Sequence, residues 1–86
     1  MVRTIDRISV SVRIPSLDRT QDFIIPENMS VRNVQQLIIT ILSSEYGVSD
    51  RINDTMLFSM KDAEALRLEC SLEQLGIVDG SRLILI

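Results

Sequence analysis

Eighty-six residues, with nine basic and twelve acidic side chains, a net charge of −3 and 45% apolar content, describe one small, mildly acidic domain. A chain this short buries only about 60% of its unfolded surface, so one core needs nearly every apolar side chain it can get. The high apolar content nevertheless leaves a surplus, which is the composition of a domain with an apolar interface. The charges are interspersed without a basic stripe, and only Phe23, Tyr46 and Phe58 are aromatic, which argues against nucleic-acid binding. No apolar run approaches the roughly 20 residues that span a bilayer, so no direct membrane insertion is expected. The first seven residues lack a signal-peptide core, and the single Cys70 excludes an intramolecular disulfide. A soluble cytoplasmic domain is the expectation.

Ile8, Val10, Val12 and Ile14 alternate with Arg7, Ser9, Ser11 and Arg13, the period of a strand with one dry and one wet face. Pro15 ends it, Pro-Ser-Leu-Asp supplies turn chemistry, and a second strand is predicted over about 19–25, stopped by Pro26. The short connection makes the two an antiparallel hairpin. Ser30 is placed to cap a helix over 31–46, with Met29 and Val34 at the positions of a hydrophobic staple. Val31, Val34, Ile38, Ile41 and Leu42, with Leu37 beside them, form its predicted apolar stripe, and Gly47 is its left-handed stop.

Residues 48–54 read as a polar loop with a helical turn. A third strand is predicted over about 55–60, with Met56, Phe58 and Met60 on one face. A polar turn over 61–64 leads to a short strand around 66–69. Ser71 and Gln74 then have capping-box spacing for a turn closed by Gly76. An Asp79-Gly80 turn opens a final strand with Leu83 and Leu85 on one face and Ile84 and Ile86 on the other.

Hairpin, helix, strand, short strand, helical turn, strand: this order resembles the ubiquitin-like β-grasp. The likeness rests on Phe23-x-Ile25-Pro26 leading to Ser30-Val31-Arg32-Asn33-Val34, and on Leu72-x-x-x-Gly76-Ile77-x-x-Gly80-x-x-Leu83-x-Leu85. It implies an α+β fold, a mixed sheet of four to five strands packed on one main helix, in a single domain over residues 1–86. The stretch Cys70-x-Leu72-x-x-x-Gly76-Ile77-x-x-Gly80-x-Arg82-Leu83 looks most like the YukD/EsaB family of small bacterial proteins associated with type VII (Ess/Yuk-type) secretion. That resemblance, and no feature of composition or spacing, implies a bacterial cytoplasmic accessory whose partners are secretion-machinery components or regulators.

The sequence offers little chemistry. It has no histidine, the commonest general base and metal ligand. Cys70, flanked by Glu69, reads as a half-buried packing cysteine rather than a nucleophile. Asp50, Asp54, Asp62 and Glu64 cluster without EF-hand spacing, which favours a solvated acidic loop over a calcium site. No Gly-rich phosphate loop is present among three glycines. The expectation is a non-enzyme with no metal and no cofactor. A modifier or sulfur carrier needs a flexible Gly-Gly tail that an activating enzyme can thread, whereas Ile86 is still in strand periodicity and Lys61 is the only lysine.

A binding surface remains. With Met56 and Phe58 facing inward, Leu57 faces outward on the third strand; with Leu83 and Leu85 inward, Ile84 and Ile86 face outward on the last. In a β-grasp these two strands adjoin, so Leu57, Ile84 and Ile86, with Leu66 at the edge, form a predicted protein-binding patch. It resembles in placement the apolar recognition patch of ubiquitin. The competing readings are packing beneath the chain's own loops and a homodimer interface. Arg7, Ser9, Ser11 and Arg13, with Arg19 nearby, offer either a solvated face or a grip on an acidic partner. The function these features support is a non-conjugating adaptor that binds protein. A self-assembling homodimeric subunit is the alternative, and a modifier or sulfur carrier a more distant one.

Overall fold

The computed structural model describes residues 6–47 and 55–86. The loop expected over 48–54, and with it Asp50 and Asp54, lies outside the described residues. The elements run β1 (Arg7–Ile14), a short 3-10 turn (Pro15–Leu17), β2 (Arg19–Pro26), α1 (Val31–Tyr46), β3 (Leu57–Ser59), β4 (Glu64–Ala65) and β5 (Arg82–Leu85). The strands form one mixed sheet in the order β2-β1-β5-β3-β4. β5 is parallel to β1 and antiparallel to β3, and both hairpins are antiparallel. One face of the sheet packs on α1 and the other is open. This is the ubiquitin-like α+β arrangement, with five strands and one main helix.

The alternation in β1 has its expected outcome: Ile8, Val10, Val12 and Ile14 are buried, and their neighbours lie on the open face. Phe23 and Ile25 of β2 join them in the core. The hairpin turn closes on Asp18, whose φ of 49° is tolerated by aspartate, and whose carboxylate accepts from Arg13 Nη2 at 2.7 Å.

Helix α1 begins and ends where its caps predict. Ser30 Oγ accepts from the Asn33 amide at 3.3 Å, and Gly47 takes up φ 65°. The buried stripe is Val31, Val34, Gln35, Ile38, Ile39 and Leu42, so Ile39 replaces Ile41, which is half-buried, and Leu37 is 37% exposed. Gln35 is tolerated there because its Nε2 donates to the Thr55 carbonyl at 2.8 Å and to Thr55 Oγ1 at 2.9 Å. The same contact ties the helix to the segment that enters β3.

The turn over 71–76 is held by the expected reciprocal capping: the Ser71 amide donates to Gln74 Oε1 at 2.8 Å and the Gln74 amide to Ser71 Oγ at 3.1 Å. Its Leu72 is completely buried. The Cys70 carbonyl accepts from the Val31 amide at 2.8 Å, satisfying an open N–H at the start of α1. The loop before β5 is tied to β1 ahead of the strand: Asp79 Oδ1 accepts from the Ser9 amide and the Gly80 amide donates to the Ser9 carbonyl, both at 2.7 Å.

Strand three departs from expectation. Met56, Phe58 and Met60 do share a face, but it is the open one: Leu57 is 2% exposed, whereas Met56 and Met60 are 52% and 51% exposed. The cause is pairing. Leu57 lies opposite Leu85 and Ser59 opposite Leu83, and these two leucines point into the core. Residues directly opposite one another share a face, so β5 fixes the parity of β3. The short strand is also earlier than expected, at 64–65 rather than 66–69. It puts Ala65, not Leu66, opposite Phe58, and Leu66 packs against the core.

This orientation has two measurable consequences. Leu57→Ala should cost about 3 kcal/mol in urea unfolding, in the range for a fully buried leucine. Dilute peroxide followed by peptide mass spectrometry should oxidise Met56 and Met60 ahead of the half-buried Met29. A protected Met56 or a neutral Leu57→Ala change would mean that strand three faces the other way.

Candidate functional site

The open face of the sheet carries an apolar cluster built by two strands. Phe58 of β3 stands directly opposite Ile84 of β5 and, on its other side, opposite Ala65 of β4. One step along, Met56 and Ile86 exchange backbone hydrogen bonds at 2.7 and 3.0 Å, which places their side chains beside that pair. On the other side the Met60 amide donates to the Arg82 carbonyl at 3.1 Å. Phe58 and Ile84 are half-buried against one another, while Met56, Met60 and Ile86 stand 51 to 63% exposed. These side chains form one contiguous apolar surface across two strands rather than scattered surface apolars.

Two of the four expected patch residues, Ile84 and Ile86, are therefore on this face together. Leu57 is beneath it in the core, and Leu66 packs inward at the sheet margin. Phe58 and Met56 take their place. Alternation alone could not find them, because Met-Leu-Phe-Ser-Met offers apolar residues to both faces. The discriminating signal was the pairing with β5, combined with the small polar Ser59 on Leu57's own face.

The arginine face of β1 is partly committed already. Arg13, which adjoins Ile84 across the β1–β5 pairing, bridges to Asp18 at 2.7 Å, and Ser11 Oγ donates to Asp22 at 2.6 Å. Arg19 does not join that face: its guanidinium lies 5.1 Å from the centroid of the Tyr46 ring at the end of α1. Among the described residues no group of three or more His, Cys, Asp or Glu side chains could hold a metal ion. No helix among them is long and apolar enough to cross a membrane.

No protein-family model and no curated protein sequence matches the chain. Solved structures do. The N-terminal ubiquitin-like domain of the 4931431F19Rik protein is similar over the whole chain and 79% of that domain's chain, with a TM-score of 0.73 and 24% identity. A ubiquitin-like domain of an Arabidopsis thaliana protein has a TM-score of 0.74 at 17% identity, over 95% of this chain and 78% of that one. Caldiarchaeum subterraneum ubiquitin has a TM-score of 0.72 at 20% identity, over 94% and 92% of the two chains. At such identities the likeness concerns the fold, and the fold is ubiquitin-like.

Proposed function

We propose that this domain is a non-enzymatic adaptor that binds a protein partner through the open face of its sheet, without covalent attachment. The observation that carries this reading is the cross-strand pair Phe58 and Ile84, with Met56 and Ile86 beside it. Two strands that bury leucines on one side present contiguous apolar area on the other. Desolvating that area supplies about 25 cal/mol per Å², from which the costs of association are subtracted. Lys61 is the sole lysine of the 86 residues, which also makes the domain a poor substrate for lysine-linked chain building. The resemblance of residues 70–86 to the YukD/EsaB family supports a cytoplasmic role in type VII secretion, with a component or regulator of the secretion machinery as partner.

The test uses a Phe58→Asp, Ile84→Asp double variant whose fold is confirmed by circular dichroism, compared with wild type as bait in native-host lysate. Partners identified on wild type should be lost from the variant. Affinity for each isolated partner should fall at least about 30-fold, roughly 2 kcal/mol, as for a truncated interface anchor. An unchanged set of partners sinks the reading. A wild type that sediments as a dimer and a variant that sediments as a monomer replace the adaptor with a self-associating subunit.

A further inference from the structure

We infer that the partner segment docked on this patch brings an acidic side chain, received in the adjoining cleft by Lys61 and Arg82. The inference rests on the docking reading above and adds the charge of what docks. A cavity of about 610 Å³ opens at the end of the sheet, between the turn that leaves β3 and the turn that enters β5. Lys61 and Asp62 line it from the first turn, Arg82 from the start of β5, and Met60 belongs both to this lining and to the open apolar face. The Met60–Arg82 backbone hydrogen bond at 3.1 Å fixes the two turns side by side, with Lys61 next along the chain.

The cleft brings two exposed cations together at the margin of the apolar face. Arg13 is paired with Asp18, Arg32 lies 3.9 Å from Glu69 and Arg19 is stacked on Tyr46, while Arg7 and Arg67 are exposed but do not line this cleft. Lys61 and Arg82 are exposed and form no ion pair among the described residues. Asp62 is the one carboxylate among the lining side chains, so the cleft stays net positive in a chain whose net charge is −3. An exposed cation by itself is merely solvated. Two unpaired cations at the margin of an apolar surface, in an otherwise acidic domain, complement an apolar segment flanked by carboxylates and repel one flanked by lysines.

The experiment titrates the isotope-labelled 86-residue chain by NMR with three synthetic peptides of about 15 residues. They share one leucine-rich helical face and carry only Glu, only Gln or only Lys at the flanking positions. The Glu peptide should shift the amides of Phe58 and Ile84 together with those of Lys61, Ser81 and Arg82. It should bind about tenfold more tightly than the Gln peptide, an advantage lost in a Lys61→Glu, Arg82→Glu variant and at about 0.5 M salt. An Arg32→Glu control should retain that advantage. Equal affinity for all three peptides, with Phe58 and Ile84 still shifting, overturns the acidic partner and leaves the docking reading standing. Loss of the advantage in the Arg32→Glu control to the same degree overturns it as a general charge effect. Failure of every peptide to shift Phe58 and Ile84 overturns the docking reading itself.

Discussion

Everything in this molecule depends on where β5 lies. The β1–β2 and β3–β4 hairpins are each two-stranded, and an isolated two-stranded hairpin is marginal in water. β5, four residues long, is the strand between them: it runs parallel to β1 and antiparallel to β3. Its Leu83 and Leu85 are buried at 0% and 4% exposure, so its place in the sheet is set by the core as well as by hydrogen bonds. Asp79 and Gly80 extend its hold on β1 by engaging both backbone groups of Ser9 before the strand proper begins.

The same strand gives the sheet its two characters. Side chains alternate across a strand, so the leucines that serve the core leave Ile84 and Ile86 on the opposite side. β3 is read in the same phase, which is why Phe58, a larger side chain than Leu57, stays outside. A phenylalanine half-exposed to water forgoes part of its burial energy, and its cross-strand contact with Ile84 recovers only some of it. The open face thus keeps apolar area that the fold itself leaves unburied. Among the described residues, Cys70, Asp62 and Glu64 offer no comparable arrangement: Cys70 contributes its carbonyl to the start of α1, and Asp62 and Glu64 are exposed around a turn.

How much was legible in the sequence follows from how many faces of each segment are apolar. β1 was readable because Arg and Ser separate its aliphatic residues, and burial of one face leaves a single consistent phase. The caps at Ser30, Gly47 and Ser71 were readable because each acts within three or four residues. Strand three was not, because its apolar residues occupy both faces and the deciding partner is more than 20 residues away. In α1, leucine or isoleucine at 37, 38, 39, 41 and 42 covers more than one face, so the sequence left its rotation open to within a residue. Gln35 entered the buried stripe only because Thr55 was there to bond it. The outward phase of β5 was therefore legible in the sequence, and that of β3 was read in reverse.

The chain order of the strands differs from their order in space, and this bears on biosynthesis. While the ribosome makes residues up to about 80, β1 and β3 each present an open edge, and the aliphatic face of β1 has no companion on that side. Open edges of this kind invite pairing with other nascent chains. Arrival of residues 82–85 closes both edges in one step and sets Ile84 beside Phe58 in the same step. Completion of the sheet and assembly of its open apolar face are thus one event, and a stalled or clipped chain lacking β5 displays the aggregation-prone edges without that face.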